Sequence, residues 1–507
     1  MSRLTIAASP YADAALPTPA LASPHPTSPA LVSTFTITES NDAMRPKSLV
    51  CCRSRGIGTW THVAATFVIF IAEIIAREGV LLPVQCLGMA SHLHPRSTTP
   101  LPASDVNGAI ASPAGGSHAP SYAHDDLLAS VRSLAPRLRE AADEIETGRS
   151  LTEPLVQAMA DAGFYRLYLP RSLGGGEVDP LTYFDVIEQL AKIETAAAWS
   201  VLISTGSITI AARGLSDSVL SRIFTSPRET IMAGSGPPRG RAVAVPGGYR
   251  ITGRWTQGSN VRLARWVQVG CHAYDGAEPR RDAEGRPVYL RCIVRASEVE
   301  VPDTWRTTGM RGTGSHDFAI TDVFAPDERV HGIVEPSPRP GALYQFVGWT
   351  HIAHAALALG IARVAIDEFI GLASGKHATW HVSEGRLATR TTIQAKVAQA
   401  EALVGSGRAY VRESTRDLWE TVSRGERPSP EQRAVYRLAV AQANAYAVQA
   451  VDLMYTLAGA TAIYTANRFD RCLRDIHTAS AHVWVAPDTY ELAGRLLLGL
   501  DPGSPNI

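Results

Sequence analysis

Residues 164–176, FYRLYLPRSLGGG, interrupt a helical part of the sequence and mark the place where its helices turn back. Pro170 and the three glycines that close the segment predict a loop, because proline and consecutive glycines break regular structure. Before this loop, apolar residues recur at helical spacing over 127–145 and again over 155–162. We therefore expect at least two helices on its N-terminal side.

The helical pattern resumes after the loop. Residues 181–193 show helical periodicity, and an alanine-rich stretch follows through 199–212. Residues 123–230 are therefore predicted to form an N-terminal helical domain of about five helices.

The sequence changes character at Ile231. Short alternating or apolar runs separated by Gly, Pro and Asp turns predict strands. These runs are 231–233, 241–245, 249–252, 266–272, 288–294 and 318–324. Residues 231–334 are predicted to form a middle β-domain.

Long helical patterns return after the proline-rich segment 335–340. Residues 351–373 are almost continuously apolar, which predicts a buried helix. Three further stretches, 388–422, 430–457 and 486–500, supply the rest of a C-terminal four-helix bundle over 335–507. The predicted fold class is α+β, mainly α.

The first 122 residues differ from the rest of the chain. They are rich in Ala, Pro, Ser and Thr, a composition that buries too little apolar surface to offset the entropy of ordering. One interpretation is a disordered extension with one short helix. The other is a misassigned start, with translation beginning at Met89 or later. An apolar run covers 63–76 and then 80–87, and charged residues break it into stretches shorter than the roughly 18–20 uninterrupted apolar residues of a membrane span.

Composition excludes several classes of function. The chain has 507 residues, a formal net charge of +0 and 45% hydrophobic residues. A neutral chain does not favour nucleic acid or an anionic membrane as partner, since phosphate binding needs a basic excess. The six cysteines are sparse and unpatterned, which favours a reducing, cytoplasmic compartment.

The common catalytic fingerprints are missing from the sequence. There is no GxGxxG for a dinucleotide, no GxxxxGK[ST] for phosphate, no GxSxG nucleophile elbow and no zinc-ligand spacing. Three polar clusters remain: 253–266 (GRWTQGSNVRLARW), 305–318 (WRTTGMRGTGSHDF) and 471–482 (RCLRDIHTASAH). Taken alone, segments like the first two are more often ordinary loops, and a lone histidine in the third is more often structural.

The order of helical, β and helical-bundle domains resembles the acyl-CoA dehydrogenase fold. The loop 164–176 is similar to that family's "GF..L.LP...GG" segment, and residues 360–369, GIARVAIDEF, resemble the start of its C-terminal bundle. The resemblance covers about residues 123–505.

Local motifs resemble one branch of this superfamily, the two-component flavin-dependent monooxygenases. Residues 308–318, TGMRGTGSHDF, are similar to its "G.RGTGS.D" loop, and residues 473–483 to its "RD......H" segment. The resemblance implies an oxygenase component that uses reduced flavin (FMNH2 or FADH2) and O2, through a C4a-hydroperoxyflavin, to hydroxylate an aromatic or related small molecule. It also implies a separate flavin reductase and a homotetramer.

The resemblance also implies site residues. Ser259 matches a serine near flavin N5, and His482 matches an active-site histidine that acts as a base on a phenol or as a donor to the flavin–oxygen adduct. The implied cofactor-binding residues are Trp199, Gln257, Gly258, Ser259, Arg311 and Ser315. Arg474, Asp475 and His477 are expected around the site or the substrate, although Arg474 and Asp475 could simply form a structural ion pair. No metal is expected.

Two departures and two alternatives accompany this interpretation. Gln257 stands where an aromatic residue is common, and Arg265 where an aspartate is common. The first alternative is an acyl-CoA dehydrogenase or oxidase with tightly bound FAD, although residues 482–488 lack the glutamate that often serves there as base. The second is a catalytically silent scaffold.

Overall fold

The computed structural model describes residues 120–333, 335–377 and 385–501, together with three short strands nearer the N-terminus. These strands, β1 (Thr5–Ala7), β2 (Thr34–Thr38) and β3 (Ser48–Val50), form an antiparallel sheet within a unit separate from the rest of the chain. The remainder of the segment 1–119 lies outside the described residues, so the two hypotheses for the N-terminal extension stay predictions.

Six helices precede the sheet: α1 (His124–Glu140), α2 (Ala142–Gly148), α3 (Glu153–Asp161), α4 (Pro180–Ile193), α5 (Thr195–Gly214) and α6 (Asp217–Ile223). Helices thus occupy the stretch in which about five were expected. The single helix expected over 127–145 is wrong in detail, because the chain breaks at Ala141, where ψ is 0°. The break directs Ile145 onto Gly312, where an added Cβ would lie 2.2 Å from the Ile145 side chain.

The loop 164–176 is confirmed. Packing requires glycine at position 175 of this loop, since a Cβ on Gly175 would lie 2.1 Å from the carbonyl oxygen of Leu169. Two short 3-10 turns, Phe164–Arg166 and Arg171–Leu173, are all the regular structure in it.

A seven-stranded sheet follows, built from β4 (Met232–Val245), β5 (Gly248–Gly258), β6 (Trp266–Asp275), β7 (Glu278–Pro279), β8 (Tyr289–Arg295), β9 (His316–Pro326) and β10 (Val330–His331). Its order is β10-β8-β6-β4-β5-β9, with β7 pairing β6 and only β4 and β6 parallel. The runs 231–233 and 241–245 are one strand, not two, because the register shift between Ser235 and Gly240 carries β4 past its proline pair.

The C-terminal part contains α7 (Ala342–Gln345), α8 (Ile352–Gly375), α9 (Thr391–Ser423), α10 (Pro430–Ala458), α11 (Arg468–Ala479) and α12 (Asp488–Leu497). The long predicted helices are observed. Helix α11 was seen in the sequence only as a polar cluster. Its buried residues Phe469, Cys472, Ile476 and Ala479 nevertheless follow helical spacing.

Helix α5 lies at the centre of the fold. It is the single helix among the described residues with the length and composition of a membrane span, and 83% of its apolar window is buried by the surrounding chain. Glu194 caps its N-terminus by accepting a hydrogen bond from Ala196 N at 3.0 Å, and the same carboxylate binds Arg471 of α11 at 2.7 Å. These contacts fix Trp199 in the first turns of α5 relative to α11.

Candidate active site

Three hydroxyl groups form a buried chain between the turn after β5 and the loop before β9. Ser259 Oγ lies 2.7 Å from Ser315 Oγ, and Ser315 Oγ lies 2.7 Å from Thr313 Oγ1. Trp199 of α5 donates its Nε1–H to Ser259 Oγ at 2.9 Å. The structure therefore brings together three residues that the sequence assigned to the site: Trp199, Ser259 and Ser315.

The direction of this hydroxyl chain follows from counting hydrogens. Thr313 donates its one hydroxyl hydrogen to Met310 O at 2.8 Å, so it accepts from Ser315. Ser315 must then accept from Ser259. Ser259 consequently donates to Ser315, accepts from Trp199 and keeps one lone pair for a further N–H or O–H donor.

Histidine rings line the other side of Trp199. His354 on α8 and His482 after α11 stack with ring centroids 4.3 Å apart, and the Trp199 ring meets both edge-on at 5.4 and 5.6 Å. His351, one turn before His354, stacks on Trp484 at 4.0 Å. Buried and half-buried aromatic and imidazole rings thus surround this part of the molecule.

All three histidines are held neutral by burial. Loss of solvation lowers the pKa of His482 to about 4 and those of His351 and His354 well below the usual value. His482 Nδ1 accepts from Trp484 N at 3.3 Å, which places the ring hydrogen on Nε2. His482 is therefore a neutral Nε2–H donor, and this geometry favours the donor over the base among the two roles that the sequence left open.

A large cavity adjoins the histidines, between α5, the sheet and the C-terminal helices. Its volume is about 1280 Å³. Its lining includes Leu202 and Gly206 on α5, His354 on α8, His482 after α11, and Gln268 and Arg291 on the sheet. Ligand cavities for single small molecules span roughly 300–1,000 Å³, so this one has room for more than one ligand.

Residues of α11 anchor the loop 305–318 rather than face the cavity. Asp475 Oδ1 accepts from Met310 N at 2.6 Å, and Arg474 binds Thr308 O at 2.6 Å. Gly309 lies so close to α11 that an added Cβ would be 2.0 Å from Arg474 O. Arg474 pairs with Asp470 and Glu146, so the Arg474–Asp475 ion pair considered from sequence is wrong.

The remaining sequence candidates contribute no side chain to the hydroxyl chain. Arg311 Nε donates to Glu146 O at 3.2 Å and holds the end of α2. Gln257 is exposed, because its backbone adopts φ +59° and turns the side chain outward. Gly258 packs directly against Phe318, whose ring would lie 2.5 Å from an added Cβ. His477 is about half exposed and binds Asp452 at 2.8 Å.

Several residues of this site were missed in the sequence: His351, His354, Thr313, Trp484, Gln268 and Arg291. His351 and His354 lie three residues apart at the start of an otherwise apolar helix, and that signal could have identified them. Gln268 and Arg291 lie in largely buried strands, so the sequence pattern does not show on which face of the sheet their side chains lie.

Comparison with known proteins supports one family. Residues 121–217 match the family model "Acyl-CoA dehydrogenase, N-terminal domain" and residues 352–487 match "Acyl-CoA dehydrogenase, C-terminal domain". Indole-3-acetate monooxygenase of Pseudomonas putida is 29% identical over 75% of this chain and 94% of its own. The flavin-dependent monooxygenase oxygenase subunit HsaA of Mycobacterium tuberculosis is 25% identical over 75% and 97%.

A solved structure agrees with these matches. XiaF from Streptomyces sp., in complex with FADH2 and glycerol, superposes with a TM-score of 0.70 at 25% identity, covering 76% of this chain and 98% of XiaF. The fold is thus that of the acyl-CoA dehydrogenases. The chain belongs to this superfamily, in its branch of two-component flavin-dependent monooxygenases. The family, fold class and monooxygenase activity predicted from sequence are confirmed.

Proposed function

We propose that this chain takes reduced flavin, FMNH2 or FADH2, from a separate reductase in the cytoplasm and hydroxylates an aromatic or related small molecule with O2. The observation that carries the proposal is the oriented hydroxyl chain, which leaves one acceptor on Ser259 beside a wall of neutral histidines. One of the relatives named above is an indole-3-acetate monooxygenase, and the other is the oxygenase subunit of a flavin-dependent monooxygenase. An aromatic substrate follows from that similarity.

The residues present fit a flavin. A tricyclic ring system needs a few polar groups at its edge and apolar or aromatic contact on its faces. Ser259, Ser315 and Trp199 supply the polar groups and a ring. Trp199 contacts His354 and His482, which line the adjoining cavity of about 1280 Å³, and a substrate has room there. Bound reduced flavin supplies the electrons that activate O2.

Ser259 has one role in this arrangement. Reduced flavin carries a hydrogen on N5, and the lone pair that Ser259 retains can accept it. Ser315 and Thr313 act through Ser259, because they take up its own hydrogen and so keep it an acceptor. Trp199 fixes the position of the Ser259 oxygen from the other side.

His482 acts as a donor in the proposed reaction. Its Nε2–H can bind an oxygen atom where negative charge develops, which stabilises the transition state electrostatically. The buried rings of His354 and Trp199 exclude water around it, and a dry site strengthens such a hydrogen bond.

The cavity argues against the dehydrogenase alternative. A dehydrogenase needs a carboxylate free to remove a proton. The carboxylates among the described lining residues are Asp282, Glu335 and Glu426, and each already pairs with an arginine. The oriented hydroxyls and buried histidines likewise disfavour a catalytically silent scaffold, since such groups are costly to bury without a use.

Assembly into a homotetramer is part of the proposal. Large apolar side chains are exposed near the C-terminal end of the described chain: Ile463, Tyr464, Val483, Tyr490, Leu497, Leu498 and Leu500. Large apolar side chains left exposed commonly mark an interface between subunits when they form one patch. Light scattering on the purified protein should give four times the chain mass, and a monomer would contradict this.

The test of the activity uses purified protein, a flavin reductase, NADH and ¹⁸O2 with indole-3-acetate and 4-hydroxyphenylacetate. We expect one ¹⁸O atom in the product, which mass spectrometry detects. Omitting the reductase is the control and should abolish product. Reduction of an electron-transfer dye by an acyl-CoA, with no oxygen incorporated from O2, would favour the dehydrogenase instead.

A further inference from the structure

The wall of the cavity contains two hydrogen-bond donors that the proposed chemistry does not use. Arg291 of β8 and Gln268 of β6 both line the cavity. Arg291 Nε and Gln268 Nε2 have no hydrogen-bond partner among the described residues, and Gln268 is 1% exposed. Buried donors of this kind cost free energy unless something binds them, so they indicate a ligand.

The sheet places these donors on one face. Gly270 of β6 pairs with Arg291, and Gln268, two residues earlier, pairs with Ile293. Residues two apart on a strand share a face, so the Gln268 and Arg291 side chains are diagonal neighbours. Gly234 pairs with Gln268 on the other side. We call Arg291 and Gln268, with the glycines Gly234 and Gly270 beside them, the arginine–glutamine patch.

Neighbouring chain packs against both glycines of the patch. A Cβ on Gly270 would lie 2.1 Å from Gly236 O, and one on Gly234 would lie 2.8 Å from Gln268 O. Open space is found instead at Gly206 of α5, which lines the cavity and has no atom within 4 Å of the place where its Cβ would be. Gln268 and Arg291 line the same cavity, so a small polar group of a ligand has access to them from there.

Arg291 has no anionic partner in the described part of the chain. The carboxylates that line the cavity are bound by other arginines, Asp282 by Arg286, Glu335 by Arg213 and Glu426 by Arg424. Among the described residues its guanidinium contacts neutral groups, namely Ser235 O at 3.5 Å, a marginal distance, and the Tyr289 side chain, whose ring centroid lies 5.5 Å from Arg291 Cζ. Burial also lowers the pKa of Arg291, as expected for a cation without a counter-ion.

The patch lies at a distance from the histidines that suits a substrate. A Cβ on Gly234 would lie 3.1 Å from Ser207 Oγ, so the patch is level with Ser207 on α5. Ser207 follows Trp199 by eight residues, which is about 12 Å along a helix. A ring beside His482 could thus carry a side chain that reaches toward the patch.

We propose that the arginine–glutamine patch binds the carboxylate of an aromatic acid, so that the substrate of this enzyme is an anion whose acid group is held away from the ring that is oxygenated. The inference rests on the proposed function, because it takes the cavity as the substrate chamber. Arginine and a side-chain amide suit a carboxylate, which accepts several N–H bonds in one plane.

The test is equilibrium binding to the full-length protein, measured by calorimetry without O2 or reductase. Two matched pairs are compared, indole-3-acetate with indole-3-acetamide and 4-hydroxyphenylacetate with its amide. We expect the wild type to bind at least one acid about tenfold more tightly than its amide, since a charge-assisted hydrogen bond contributes that much. Arg291→Gln should remove this preference and leave amide binding unchanged, and Arg291→Lys should keep part of it.

Arg239→Gln is the matched control, because Arg239 is an exposed arginine of the same sheet that binds Thr256 and does not line the cavity. It should bind all four compounds as the wild type does. A wild type with no preference for either acid overturns the proposal, as does an Arg291→Gln variant that loses acid and amide equally.

The same calorimetry separates the two sources of an anionic group. If Arg291→Gln weakens binding of FMN but not of riboflavin, and leaves the acids unchanged, the patch holds the flavin phosphate and the substrate inference is wrong. Because no turnover is needed, failure of these measurements is distinct from failure of the monooxygenase assay.

Discussion

His354 and His482, which come from α8 and from the turn after α11, lie face to face with ring centroids 4.3 Å apart and planes inclined by 25°. Two protonated imidazoles could not stack in this way, because like charges repel strongly at such a distance. The contact therefore requires neutral rings, and it ties the start of the C-terminal bundle to the candidate active site.

Replacing His482 by Ala should separate oxygen activation from product formation. The change removes the Nε2–H donor, and loss of one such donor commonly lowers turnover by about a hundredfold. We expect less hydroxylated product per NADH and more hydrogen peroxide, measured together in the coupled assay. His477→Ala is the control, since His477 is half exposed and binds Asp452 instead of lining the site. Unchanged coupling in His482→Ala would refute the assigned role.

Stability should fall with acid because of the buried histidines. The folded-state pKa of His482 is lowered to about 4, below the value of about 6.5 in an unfolded chain. Between these values the unfolded state binds more protons, so the contribution of His482 is complete above pH 6.5 and is lost as pH falls toward 4. Each such histidine contributes a slope of up to about 1.4 kcal/mol per pH unit.

Urea unfolding at pH 7.5 and 5.5 measures this dependence. His354→Phe keeps a stacked ring but removes one titrating group, so its free energy of unfolding should change less between the two pH values than that of the wild type. Equal pH dependence in both proteins would show that His354 is not held neutral by the fold.

Replacing Ser259 by Ala should weaken the binding of reduced flavin more than the binding of oxidised flavin. Only the reduced form carries a hydrogen on N5, and a lost hydrogen bond corresponds to about a tenfold change in affinity. Anaerobic titrations with FMN and FMNH2 test this. Thr313→Val, at the far end of the hydroxyl chain, should also weaken the binding of FMNH2 more than that of FMN, but by a smaller factor. Equal weakening of both redox forms would mean that Ser259 acts only in packing.

Asp475 should matter for stability through the backbone of Met310. Asp475→Ala leaves a buried N–H without its 2.6 Å acceptor, which should cost about 1–3 kcal/mol in the free energy of unfolding. Asp475→Asn keeps an acceptor oxygen and should cost less. Denaturant unfolding distinguishes the two, and equal effects would assign the loss to charge rather than to the hydrogen bond.

The sequence predicted the elements with strong periodicity and the residues carried by family motifs. Ser259 and Ser315 were placed in separate loops, and the fold brings their oxygens to 2.7 Å. Gln257 could not be placed correctly, because its outward direction depends on a left-handed backbone angle that no pattern reveals. His354 could not be assigned to the site from the sequence. It lies in an apolar helix, and tertiary packing decides which face of that helix contacts Trp199.

A substitution at Gly206 would change the volume of the cavity. It lies within α5, faces the cavity, and has open space where a methyl group would extend. An alanine there would fill volume without moving the backbone, and alanine favours a helix over glycine by about 0.5–1 kcal/mol. The central helix therefore retains a residue that is poor for its own stability, and an alanine in its place would reduce the volume of the cavity.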